Sequence, residues 1–355
     1  MGVLKIEKSC ESIKYLKENC GYLSDEFQEV ESHSKKLINQ QCQIIEFITP
    51  KDINDISWCV DNNIDCICIS NVQSSKNLKA VKNIIGKNKN SISLIARIQS
   101  KEAVENIEEI IKESDGIQIA RGYLTIHMPV EKLFVQQREM IKKCHEYMKP
   151  VLISCNILNS MVSSLLPSMS EIGEISNLVN EYVDGIILSS ETSCSTNPVE
   201  AIKTLEKVCI EAENIRILDS IYKLNSSQQL RSAKTTIQSC IIECAIQTAF
   251  NINAKFIFAF TTRGYTALKI SKMRPYCPIL AITSDKRVAR ILTCVCGIQS
   301  LLIESLIGTE FIMKQIINIQ KNEGKLFPGD FVVITYGDIE DKANQTNNIK
   351  VIIVE

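Results

Sequence analysis

From about residue 44 to 215 the chain alternates short apolar runs with amphipathic stretches. Asp65–Ser70, Ser93–Arg97, Gly116–Ala120, Val151–Cys155 and Asp184–Ser189 are nearly continuous in apolar residues. Such runs predict strands covered on both faces, the environment of a parallel sheet. Between them, Lys101–Lys112 sets Ala103, Val104, Ile107, Ile110 and Ile111 along one helical stripe. A further helix is predicted after Ile48. There Thr49 supplies a capping hydroxyl, Pro50 suits the first turn, and Asp52 lies three residues beyond the cap. Ile53, Ile56 and Val60 are its expected buried face. Strands and helices in this alternation read as βα units.

A second α/β unit is expected after a polar joint around Ser226–Ser232. It opens with a long helix, Thr235–Phe250, followed by a strand, Lys255–Phe260. The turn TTRGYTA, a helix to Met273 and a strand Pro278–Thr283 come next. Later strands are expected at Gly297–Ile303, Asp330–Tyr336 and Ile349–Val354, the second of these launched by a turn at Gly329-Asp330. There is no internal repeat at solenoid periods.

Composition narrows the class. The chain has 355 residues, 45% hydrophobic and 23% charged, as in ordinary globular proteins with about two domains. A net charge of −1 gives no basic field for nucleic acid or acidic membrane. The amino-terminal segment MGVLKIEKSCESIKYLKENC mixes charge into every turn, so neither a signal peptide nor a membrane span is expected, and a cytoplasmic location is. Fifteen cysteines are present, yet many sit in apolar runs: Cys66 and Cys68 alternate with Ile67 and Ile69, and Cys294 and Cys296 flank Val295. With three histidines and no paired CxxC units, reduced core thiols are expected rather than disulfides or zinc.

The segment SDGIQIARGYLTIHMP, Ser114 to Pro129, runs an apolar strand into the small-residue corner Ala120-Arg121-Gly122, where backbone can approach an anion closely. It resembles the strand-end signature ARGDLG of pyruvate kinases. Other segments resemble that family in the same order: ITPKDINDISWCVDNNIDCICISNV, LIARIQSKEAVEN, KPVLISCNILNSM, VDGIILSSETSCSTNPVEAI and FPGDFVVITYG. The likeness runs from about residue 28 to the end. It implies an α/β protein: an incomplete (β/α)8 TIM-type barrel over residues 44–217, then a carboxy-terminal effector-binding and oligomer-forming α/β domain over 218–355. Residues 1–43 correspond to the tail of a capping domain. A complete barrel needs about 250 residues and eight strands, whereas about five βα units are legible here. The open edges call for cover by residues 1–43, by another chain, or by a longer gene product.

The resemblance also assigns chemistry residue by residue. The family's catalytic lysine falls on Arg97, its glutamate metal ligand on Gln99, its aspartate metal ligand on Tyr123, and its proton-transfer threonine on Cys155. Ser189 and Glu191 keep the SGET positions, and Arg121 and Gly122 keep the substrate-binding corner. The family uses Mg²⁺ and K⁺, and magnesium wants hard carboxylate oxygens. Neither metal carboxylate is present, so metal binding at Gln99 and Tyr123 is not expected. The residues also have plainer readings. Arg97 could pair with Glu191, Tyr123 could fill the space of a lost metal and substrate, and Cys155 could be a small core residue.

Thr261, Thr262, Arg263, Gly264, Tyr265 and Thr266 resemble the family loop that grips a phosphate of a sugar bisphosphate, and a strand-to-helix turn is the alternative role for Gly264. The expected function is a homologue of the enzyme moving phosphate from phosphoenolpyruvate to ADP, with catalysis impaired or absent. Expected partners are a second copy, an intact pyruvate kinase, or a sugar-phosphate effector. The alternatives are an active pyruvate kinase with an incomplete gene model, and a non-catalytic interaction module.

Overall fold

The computed structural model describes residues 47–86, 92–155, 157–224, 237–337 and 346–355, with the side chains of 216–224 left aside. The polar joint expected around Ser226–Ser232 and the segment 1–43 lie outside the described residues. The first part begins with α1 (Pro50–Asp61), β1 (Cys66–Ile69), α2 (Ser75–Ile85) and β2 (Ser93–Ile98). Helices α3 (Lys101–Glu105) and α4 (Ile107–Glu113) lead to β3 (Gly116–Ala120), α5 (Arg121–His127) and α6 (Val130–Glu146). Then come β4 (Val151–Ser154), a 3₁₀ turn (Asn159–Val162), α7 (Met169–Asn180), β5 (Gly185–Ile187), the short α8 (Ser190–Ser193) and the long α9 (Pro198–Leu224).

The five strands form one parallel sheet in the order β1-β2-β3-β4-β5, which does not close among the described residues. Its helix-facing side carries a continuous core of Leu78, Ile98, Ile110, Ile117, Ile119, Ile153 and Val179. The aspartates that precede alternate strands tie neighbours together. Asp115 Oδ2 accepts from the backbone N–H of Leu94 at 2.9 Å, and Asp184 Oδ2 from that of Val151 at 2.9 Å. Gly185, next to Asp184, lets the chain approach β4, because a Cβ there would stand 2.9 Å from Leu152 Cδ2.

Two local expectations are corrected. The stripe over Lys101–Lys112 is one face but two helices: the chain turns at Asn106, whose Nδ2 donates to the Gln73 carbonyl at 2.9 Å. In α1, Thr49 and Asp52 form the expected reciprocal cap, and Ile56 is buried, but Ile53 is exposed. Ile56 packs with Val81 and Ile85 of α2 and Leu94 of β2, and Ile53 stays outside that cluster.

The second part consists of α10 (Ile237–Asn251), β6 (Phe256–Phe260), α11 (Tyr265–Lys272), β7 (Ile279–Thr283), α12 (Lys286–Leu292), β8 (Ile298–Leu302), α13 (Thr309–Asn322), β9 (Phe331–Gly337) and β10 (Thr346–Ile353). The sheet order is β10-β9-β6-β7-β8, with β10 antiparallel and the rest parallel. One face packs α10 and α11 through Ile242, Ile246 and Ile270; the other packs α13 through Ile312, Met313 and Ile316. Its central strands are buried on both sides, which is why they read as unbroken apolar runs.

Candidate functional site

Parallel register lines up the carboxy-terminal ends of the first five strands, with Ile69 beside Ala96, Ala120 beside Ser154, and Ser154 beside Ile187. The first residues beyond that edge are Asn71, Gln99, Arg121 and Gly122, Cys155, and Ser189 with Glu191. One rim therefore collects side chains from five strands, the place where parallel α/β folds carry their chemistry.

Arg97 rises from β2 in register with Gln118 of β3. Its guanidinium lies over the Tyr123 ring, 4.9 Å from the centroid, and Nη2 is 4.0 Å from Cys155 Sγ. Arg97 Nε is buried and without a hydrogen-bond partner. The expected pairing with Glu191 is not made. Glu191 is buried and accepts from the backbone N–H of Ser189 at 2.7 Å and of Ile157 at 3.3 Å, which fixes the short turn of α8. Two backbone donors and the Ser189 hydroxyl occupy this carboxylate.

Gln99 donates to Asn71 Oδ1, so this rim position is bound to the loop that follows β1. Arg121 is buried; it pairs with Glu174 of α7 and donates from Nη2 to the Cys155 carbonyl at 3.1 Å. Cys155 is half-buried and holds a left-handed backbone, φ 76, which the Arg121 contact to its carbonyl helps to fix. Beneath the rim, Gln118 accepts from Cys68 and donates to Ser154, each at 2.7 Å.

The donor set does not suit a divalent cation of the magnesium type. Gln99 and Tyr123 bring neutral oxygens, Glu191 is occupied by backbone N–H groups, and Glu174 by Arg121. Among the described residues no group of three or more His, Cys, Asp or Glu side chains is placed to hold a metal ion. Asn71 and Glu174 were not singled out in the sequence. Their partners lie 28 and 53 residues away, and only position after a strand marks Asn71.

In the second part, Thr261 to Thr266 span the turn from β6 into α11. Gly264 has φ 79, and a Cβ there would meet Val288 and Leu292 at 3.2 Å. Thr266 faces inward, its Oγ1 sharing a hydrogen bond with Thr346 Oγ1 at 2.7 Å. Arg263 and Tyr265 are exposed at the turn, and Lys269 Nζ lies 5.8 Å from the Tyr265 ring centroid.

An open parallel sheet with a strand-end rim, joined to a second doubly covered α/β unit, defines a two-part α/β protein. Residues 22–202 match the family model described as pyruvate kinase, barrel domain, and residues 239–352 match pyruvate kinase, alpha/beta domain. The chain belongs to the pyruvate kinase family. It is 32% identical over 308 residues to a pyruvate kinase of Dictyostelium discoideum, covering 86% of this chain and 61% of that one. It is 31% identical to a pyruvate kinase of Staphylococcus aureus (strain MRSA252), covering 86% and 52% respectively. The crystal structure of a pyruvate kinase from Cryptosporidium parvum superposes with a TM-score of 0.80 at 31% identity, covering 88% of this chain and 64% of that one. The chain thus spans about half to three fifths of the length of the curated relatives it matches. No helix among the described residues is long and apolar enough to cross a membrane.

Proposed function

We propose that this chain is a pyruvate kinase homologue in which metal-dependent phosphoryl transfer from phosphoenolpyruvate to ADP is lost or severely impaired. The observation that carries this reading is the closed contact among the rim side chains. Arg97 is stacked on Tyr123, and Gln99 is bound to Asn71. Phosphoryl transfer depends on positioning and on cations that neutralise the moving charge. With the metal carboxylates replaced, the Mg²⁺ that family members use has no anionic anchor at these positions. Arg97 keeps one positive charge, but its planar fork is committed to an aromatic face rather than free for a phosphoryl oxygen. Loss of one such stabilising contact typically costs about 10²–10³ in rate, and here several are replaced together.

The retained role in this reading is structural or regulatory, in the cytoplasm: assembly with a second copy or with an intact pyruvate kinase, and anion binding at Thr261–Thr266. The test is a coupled assay with phosphoenolpyruvate, ADP, Mg²⁺ and K⁺. No metal-dependent pyruvate formation is expected, and robust turnover abolished by chelator would sink the proposal.

A second reading is favoured by coverage of only 52–61% of the relatives' length: a working enzyme whose remaining parts lie in a longer protein. Transcript sequencing upstream of Met1 separates the two, although added sequence would leave Gln99 and Tyr123 as they are.

A further inference from the structure

Helix α11 buries two lysines, three residues apart, and compensates their charges differently. Lys272, at its carboxy-terminal end, meets the buried carboxylate of Asp184, immediately before β5. Lys269 is enclosed as well, at 8% exposure, yet no carboxylate among the described residues lies within ion-pair distance of it. Its Nζ donates instead to the neutral hydroxyl of Ser239, which is itself buried on α10. The Tyr265 ring, one turn earlier on α11, lies 5.8 Å from Nζ and is 37% exposed. That separation is close to the outer limit of about 6 Å for a useful cation–ring contact. Cys240 and Glu243, both exposed on α10, flank the amine at longer range. An ammonium taken from water with a hydroxyl and a distant ring as its only close company is costly to hold, and shedding the proton relieves the cost. Burial accordingly lowers the Lys269 pKa from the ordinary lysine value, outweighing Glu243 and Cys240, which raise it.

We propose that Lys269 is a reactive amine that takes small planar aldehydes as imines, a modification site separate from the strand-end rim and independent of the question of turnover. A lysine desolvated without a counter-ion is a nucleophile near neutral pH, because its free-amine fraction rises as its ammonium is disfavoured. The Nζ lone pair attacks the carbonyl carbon, and the C–N bond forms as the C=O π pair moves onto oxygen. That oxygen takes up the proton which nitrogen sheds, and Ser239 Oγ, already hydrogen-bonded to Nζ, is placed to pass it. The carbinolamine then loses its hydroxyl together with the remaining N–H proton as water, leaving C=N. No oxidant or reductant is consumed. A flat substituent on the carbonyl carbon can lie against the neighbouring Tyr265 ring, which favours an aromatic aldehyde over an aliphatic one. The half-exposed ring also marks the way in, since Nζ sits directly behind it.

The site is tested on the full chain at pH 7 with benzaldehyde and cyanoborohydride, which traps an imine as a stable benzylamine, each lysine being followed by peptide mass spectrometry. Lys269 is expected to be labelled at least about fivefold faster than Lys255 and Lys314, which are exposed. Glu243→Gln, an exposed substitution, removes a charge that favours the ammonium. It should raise Lys269 labelling about twofold or more and leave Lys255 unchanged. Butanal in place of benzaldehyde should label Lys269 more slowly relative to Lys255, and Tyr265→Ala should erase that difference. Labelling of Lys269 no faster than that of the exposed lysines overturns the proposal, since it is the behaviour of a lysine that is merely packed. Unaltered or slower labelling in Glu243→Gln overturns it too, as does an equal rise at every lysine, which is general loosening. Should Tyr265→Ala fail to fold, the two aldehydes compared on the wild-type chain decide the ligand class: equal relative rates at Lys269 refute the preference for a planar aldehyde.

Discussion

Arg97 over Tyr123 gives the rim an internal cation–ring contact, while Arg97 Nε stays buried without a hydrogen-bond partner. A guanidinium over a phenol ring is worth about 0.5–1 kcal/mol where water still reaches it, more when desolvated. Without an acid opposite, the ring is the best available partner for the cation. The plainer reading open to Arg97 in the sequence, a pair with an acid such as Glu191, is not taken, and the turn of α8 uses that carboxylate for its own backbone. If absent carboxylates are the reason metal binding fails, restoring them should restore it. The double variant Gln99→Glu, Tyr123→Asp is therefore expected to bind Mn²⁺ in a spin-resonance titration where the parent chain does not. Equal, negligible binding by both would mean that backbone shape rather than donor chemistry excludes the ion.

At the scale of elements, the strand-to-helix turn at Gly264 imposes the tightest local demand in the second unit. Its left-handed φ of 79 and the contacts of a Cβ at 3.2 Å to Val288 and Leu292 both select glycine. Gly264→Ala is expected to lower unfolding free energy by roughly 1–2 kcal/mol in urea titration, from backbone strain plus displacement of α12. An unchanged midpoint would show that the turn relaxes freely. Most strands were legible because burial on both faces leaves nearly unbroken apolar runs, as in β6 and β7. The break at Asn106 was not legible: periodicity continues across it, and the Gln73 carbonyl that holds the turn comes from a distant loop.

Over the whole molecule, the interface around Asp184 couples pH to stability. Asp184 stays ionised: burial opposes its charge, but Lys272, Arg274 and the hydrogen bonds it accepts outweigh burial and hold its carboxyl below the usual range. His145, largely buried beside them, behaves oppositely. Burial first, then repulsion from Lys272 and Arg274, lowers its pKa from 6.5 to about 4, against smaller opposing contributions from Asp184 and the Glu181 backbone. Its folded pKa lies below the unfolded one, so between about pH 6.5 and 4 the unfolded chain takes up a proton the folded chain refuses. This contribution is full above that window and is lost as pH falls through it, on the order of 3 kcal/mol at most. Urea unfolding of wild type against His145→Gln measures it: the variant should lose less stability between pH 7 and 4.5, with other carboxylates common to both. Identical slopes would remove His145 from the account.

The amino-acid sequence by itself determined the two α/β units, the order of polar residues along the rim, and the neutral side chains at Gln99 and Tyr123, because local periodicity and residue identity are properties of the chain alone. Tertiary structure decided who pairs with whom: Gln99 with Asn71, Arg121 with Glu174, and Asp184 with Lys272 and Arg274 across 88 and 90 residues. Burial makes those choices, since a charge or amide taken from water must find a partner wherever packing has placed one.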